Sequence, residues 1–185
     1  TTPAFAGRSG ARLDDEAILE HWDRGGIFAL FGQRLPDHVA YILHRFGTSA
    51  ITGFVRYLEA WRPSRDLHVD RSILLAVDSP RLAPALAPLL RDEGHWSSGS
   101  WGAVARRWLL TYPETAVIGL VPPALAGAPA GDAGAVKRME AAELALRWMR
   151  ERGIDVAGLA RPYGIEVCGA LEELLGWDAR LDVPR

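Results

Sequence analysis

Apolar positions recur at three- and four-residue steps along most of the chain, the pattern of helices that bury one face. LDDEAILEHWD (13–23) opens with acids and sets Leu13, Ala17, Ile18 and Trp22 on one side. Gly25-Gly26 ends it, and IFALFG forms a short second piece. PDHVAYILHRFG (36–47) starts with Pro and closes with Gly, the asymmetry expected of a helix. Thr48 or Ser49 is placed to cap the next helix, AITGFVRYLEAW, and Asp70 to cap SILLAV. Ser79-Pro80 starts RLAPALAPLLRD. GAVKRMEAAELALRWMRERG (134–153) is the clearest helix, with good helix formers and a stripe of Met139, Ala142, Leu146 and Met149. Asp155 then starts VAGLARPYG, and IEVCGALEELLG (165–176) ends at Gly176.

The stretch RRWLLTYPETAVIGLVPPALAG (106–127) contains a break. Trp108, Leu109, Ala116, Val117, Leu120 and Val121 keep helical spacing on either side of Tyr112-Pro113. A residue before proline avoids the α region, so one helix stops near Tyr112. Pro113 and Glu114 suit the first turn of the next. The reading is an αα-hairpin, with Pro122 and Pro123 kinking the second helix or ending it early. ILLAV (73–77) and AVIGLV (116–121) have the length of buried strands, but their surroundings favour helix. No stretch alternates convincingly.

Shifted by 67 residues, YILHRFGTSAITGFVRYL lies over WLLTYPETAVIGLVPPAL with the break in the same place. Helix pairs repeated at similar length point to an α-solenoid. The expected fold is all-α, a HEAT-like stack of about five antiparallel helix pairs. It is read as a single domain over 1–185, with possible sub-blocks 11–92 and 101–178 joined by the loop 93–100. The Gly/Ala-rich stretch 126–135 is a second loop.

With 185 residues and 49% apolar content, the chain has material for a sizeable core. Charge is even: 11 basic and 11 acidic groups in residues 1–92, 10 and 12 in the remainder. This gives no basic arm of the kind strong duplex binding requires. Lys137 is the one lysine, a codon signature of a high-G+C genome. One cysteine excludes an internal disulfide and a Cys-rich zinc site. No run of apolar residues reaches membrane-spanning length. The expected compartment is the cytoplasm, and the start, TTPAFAGRSG, reads as that of a piece of a longer protein.

Candidate chemistry is thin. Ser97, Ser98 and Ser100 lie near His95 but lack the G-x-S-x-G elbow. Cys168 sits among Val167 and Leu171, as a small buried hydrophobe does. The five histidines, His21, His38, His44, His68 and His95, show no i, i+4 pair. Asp14, Asp15 and Glu16 fit a helix start better than a metal site. The pairs Glu172/Glu173 and Glu140/Glu143 sit on helices with an opposite apolar face, where solvent exposure is expected. No metal or cofactor is therefore expected. Trp22, Trp61, Trp108 and Trp148 read as packing residues. Trp96 and Trp101 flank a Gly/Ser-rich loop near two arginines, and aromatics with Arg are the usual anchors of binding surfaces. The candidate binding residues are His95, Trp96, Trp101, Arg106 and Arg107, against the plainer reading that both rings fold back over a joint between helix pairs.

The order of RRWLLTYPETAVIGLVPPALAG, RMEAAELALRWMRERG and YGIEVCGALEELLGWD resembles a segment of a bacterial family of large, uncharacterised helical-repeat proteins. Members are labelled molybdate-metabolism-regulator-like, and some carry a WGR module elsewhere. The matching residues are Trp108, Leu109, Pro113, Glu114, Ala116, Gly119, Leu120, Val121, Pro122, Ala124 and Leu125, continued by Arg138, Ala142, Ala145, Leu146 and Met149. The likeness covers roughly residues 101–178. Pro122-Pro123 and the gap after it depart from the commoner basic linker. The resemblance implies a HEAT-like scaffold within a longer polypeptide and carries no catalytic residue.

The expected function is a non-enzymatic scaffold binding a protein partner or other parts of its own chain. Two alternatives stand beside it. One is a nucleic-acid-binding repeat, which requires Arg45, Arg56, Arg62, Arg65, Arg106 and Arg107 to cluster. The other is part of an enzyme completed by another domain, which requires a pocket with two or more ionisable groups in hydrogen-bond reach.

Overall fold

The computed structural model describes residues 14–24, 35–60, 71–91 and 100–176. All regular structure among them is helical. The chain divides into two compact units between Ile73 and Leu74. This division falls ahead of the loop 93–100, which the sequence offers as a joint between possible sub-blocks and which, apart from Ser100, lies outside the described residues. Two side chains show why: Trp108 donates its indole N–H to the Val77 carbonyl at 2.8 Å, and the Tyr112 hydroxyl donates to the Leu75 carbonyl at 2.6 Å. Both tie the chain just after Leu74 to the hairpin stretch.

In the first unit α1 (Asp15–Asp23) starts at Asp14, whose carboxylate accepts the Ala17 N–H at 2.8 Å. The acids expected as helix-start groups fill that role, and Asp15 also binds Arg45 through both carboxylate oxygens. That hydrogen bond, followed by the charge of Asp15, raises the Arg45 pKa. Arg45 belongs to α2 (Leu35–Phe46), which ends at Gly47 with φ +52°, a conformation glycine adopts without strain. Thr48 and Ser49, expected as caps, lie instead inside a 3-10 turn (Gly47–Ala50) that runs directly into α3 (Ile51–Ala60). The core of this unit is Trp22. Its indole is fully buried and donates to the Ala50 carbonyl at 2.6 Å. A Cβ on Gly53 would sit 2.1 Å from the Trp22 ring, so the missing side chain of Gly53 is what lets α3 close on α1.

In the second unit RLAPALAPLLRD is no single helix. After a 3-10 turn (Arg71–Ala76) that spans the unit boundary, it forms α4 (Ala83–Leu86) and another 3-10 turn (Ala87–Arg91). Pro84 suits the first turn of this short helix, whereas Pro88 has no N–H to give the Pro84 carbonyl, a bond that a longer α-helix would need. Helix α5 (Trp101–Thr111) is capped by Ser100, whose hydroxyl accepts the Ala103 N–H at 3.1 Å. The break falls at Tyr112, as its sequence predicts, at φ −125° and ψ 60°. Helix α6 (Pro113–Leu125) begins on the next residue. The two helices meet mainly at this corner, so the hairpin is an open one. The 87–91 turn is the principal partner of α5, and α7 (Ala133–Glu151) that of α6.

Helix α6 runs through Pro122 and Pro123 and ends two residues later. A proline at 122 leaves the Ile118 carbonyl without its helical donor. The Tyr163 hydroxyl donates to that same carbonyl and fills the gap. Gly119 faces Pro80 and Ala83, where an added Cβ would lie 2.1 Å from the Pro80 oxygen. Helix α7 starts at the Asp132 cap and ends in a Schellman motif: Ile154 N–H bonds to Met149 O, Gly153 N–H to Arg150 O, and Gly153 has φ +83°. Then follow α8 (Val156–Leu159), capped by Asp155, a 3-10 turn (Arg161–Tyr163), and α9 (Ile165–Gly176).

Candidate functional site

Of the five candidate binding residues, His95 and Trp96 lie outside the described residues. Trp101 is only 3% exposed, on the first turn of α5. It is a core residue, which corrects its assignment to a binding surface: helix α5 begins at Trp101, directly after the Ser100 cap, and its ring is buried. The Arg106 guanidinium donates to the Leu90 carbonyl at 3.1 Å and ties α5 to the 87–91 turn. Arg107 is exposed. The structure thus spends Trp101 and Arg106 on packing and leaves Arg107 facing solvent.

The other candidate groups are likewise committed to structure. Ser100 is a cap. Glu140 pairs with Arg91 at 3.6 Å, and Glu143 with Arg147 at 2.9 Å. The Arg147 guanidinium also donates to the carbonyls of Leu174 and Leu175, at the last turn of α9, where a cation is favoured. Glu172 and Glu173 are exposed, as expected. Among the described residues no three His, Cys, Asp or Glu side chains come together as a metal site.

A different place stands out. Between the 155–164 turn and α9 lies an open cleft of about 460 Å³. Asp155, Ala157, Gly158, Arg161 and Gly164 of the turn line it together with Ile165, Cys168 and Glu172 of α9. The fold builds it in steps. Asp155 accepts the Gly158 N–H at 2.9 Å, and a Cβ on Gly158 would strike that carboxylate, so α8 is tightly wound. Gly164, at φ +97°, turns the chain sharply into α9. The Cys168 thiol donates to the Ala157 carbonyl at 3.4 Å and ties α9 to the turn. Cys168 is half-buried on the cleft wall rather than sealed in the core.

Helix α9 buries Leu171 and Leu175, whereas Ile165, which lines the cleft, is 87% exposed. Sequence reasoning missed this residue. Its signal was a surplus: IEVCGALEELLG has seven apolar residues in twelve, more than one buried face of an edge helix uses. Asp155, Arg161 and Glu172 form no ion pair among the described residues, and the Asp155 carboxylate already serves as a helix cap. The cleft offers an apolar contact with charged margins.

Compared with protein-family models, with curated proteins and with solved structures, the chain finds no match. No helix among the described residues is long and apolar enough to cross a membrane.

Proposed function

We propose that the chain is a non-enzymatic segment of a HEAT-like helical-repeat scaffold in a larger, cytoplasmic bacterial protein, and that it holds a protein partner on the α9 face. The observation that carries this reading is Ile165, a large aliphatic residue left in water beside an open cleft. Ile165 and the apolar part of the cleft lining, Ala157 and Cys168, form a small apolar place with charged groups beside it, where a partner's side chain can seat. The use of Trp22, Trp108, Tyr112, Arg106, Arg147 and Tyr163 as side-chain ties to backbone carbonyls supports a rigid framework. The sequence resemblance to large helical-repeat proteins points the same way.

The nucleic-acid alternative draws less support. Arg45 is committed to Asp15, Arg56 to the Asp23 carbonyl and Arg106 to the Leu90 carbonyl, while Arg62 and Arg65 lie outside the described residues. The experiment is affinity capture with the 185-residue chain as bait, with nuclease and at two salt concentrations, followed by reconstitution with the purified captured protein. A protein retained by the native chain and released by Ile165→Asp is the expected result. Retention of nucleic acid alone, stripped by salt, overturns the scaffold reading.

A further inference from the structure

Glycine is the weakest helix former apart from proline, so a glycine inside a helix calls for a contact that needs its missing side chain. Gly53 has that contact in Trp22, and Gly119 has it in Pro80 and Ala83. Gly169, in the middle of α9, has none: a Cβ there meets nothing within 4 Å. It stands one turn after Ile165, at the i, i+4 spacing that puts both on one stripe. Beside an exposed aliphatic side chain, α9 thus offers bare backbone.

The charge carried by α9 itself has one sign. Glu166, Glu172 and Glu173 are exposed on α9, and none is in an ion pair among the described residues. Helix α9 carries no basic residue. The rest of the cleft lining carries one charge of each sign, Arg161 and Asp155, which form no ion pair among the described residues.

We infer that α9 is the docking surface for a basic amphipathic helix of a partner protein. This rests on the scaffold reading and names its partner class. The incoming helix crosses at Gly169, where the absent side chain admits close backbone approach. It seats an aliphatic side chain against Ile165 and the cleft, and sets Lys or Arg against Glu166, Glu172 and Glu173. Helix-in-groove recognition by aliphatic anchors supplies the affinity, and the acidic margin supplies orientation and encounter rate.

The test uses the whole 185-residue chain and a fluorescein-labelled peptide of about four helical turns, with leucine along one face and lysine on the other. Control peptides replace lysine by glutamate, or leucine by glycine. Binding is followed by anisotropy. The Leu/Lys peptide alone is expected to bind. Gly169→Leu, which puts a good helix former in place of a poor one but holds a crossing backbone away, and Ile165→Asp each weaken binding about tenfold or more, while Tm is not lowered by Gly169→Leu. Changing Glu166, Glu172 and Glu173 to Gln together weakens it and flattens its salt dependence. Equal binding of the glycine control, indifference to Gly169→Leu, or a chain dimer lost in Gly169→Leu overturns the proposal. If a captured partner is released by Ile165→Asp but the Leu/Lys peptide fails to bind, the basic helix is wrong and the α9 surface stands.

Discussion

The same substitution in two helices of one unit should move stability in opposite directions. Gly119→Ala and Gly169→Ala each exchange the poorer helix former for the best one, a gain of about 1 kcal/mol where nothing else changes. At Gly169 nothing else does change, because the new Cβ meets no atom within 4 Å. At Gly119 the Cβ would lie 2.1 Å from the Pro80 oxygen, 2.8 Å from the Ala83 Cβ and 2.9 Å from the Pro80 carbonyl carbon. Two of these are backbone atoms, so α6 itself has to move, with loss of its contact with α4. Overpacking of this kind costs about 3 kcal/mol at the upper end of its usual range. The net is about 2 kcal/mol of destabilisation for Gly119→Ala against about 1 kcal/mol of stabilisation for Gly169→Ala. For a chain of this size Tm moves by about 2–4 °C per kcal/mol. The first variant should therefore melt about 4–8 °C lower and the second about 2–4 °C higher. Calorimetry with far-UV circular dichroism on the three proteins reads this directly. A neutral or stabilised Gly119→Ala would refute the close packing of α6 on residues 80–83.

Three further results are expected. Tyr163→Phe removes the donor from the Ile118 carbonyl that Pro122 leaves open and should cost about 1 kcal/mol; Pro122→Ala restores a helical N–H, so a double-mutant cycle by urea denaturation should show the Tyr163→Phe cost shrinking in that background. Ser100→Ala deletes the cap of α5 and should cost about 1 kcal/mol, with Ser100→Asp recovering most of it in the same melts. Trp22→Phe loses the hydrogen bond to the Ala50 carbonyl and leaves space beside Gly53, so about 2 kcal/mol of destabilisation is expected, and Gly53→Ala, harmful alone, should be better tolerated in that background.

Local signals were legible along the chain. Asp14 and Asp155 start their helices as read, and Tyr112-Pro113 breaks the helix because proline restricts the residue before it, whereas the caps Ser100 and Asp132 were not picked out. What the sequence did not reveal was which helix meets which. The packing of α6 on α7 rather than along α5 depends on residues far apart in the chain, and so does the fitting of Gly119 over Pro80. The candidate binding residues suffered for the same reason. Trp101 and Arg106 beside a Gly/Ser-rich stretch look like an exposed anchor pair, whereas Trp101 is buried on the first turn of α5 and Arg106 is tied to the Leu90 carbonyl. Ile165 was hidden in the opposite sense: an apolar residue in an apolar helix reads as core until the helix is found at the edge of its unit.

The most direct measurement compares two surfaces on one chain. A captured protein partner is titrated against the native chain, Ile165→Asp, and a His95→Ala/Trp96→Ala/Arg107→Glu variant by calorimetry. The account predicts that Ile165→Asp loses binding and that the triple variant keeps it. Retained affinity in Ile165→Asp with loss in the triple variant would move the interface to residues 95–107 and contradict the assignment of α9.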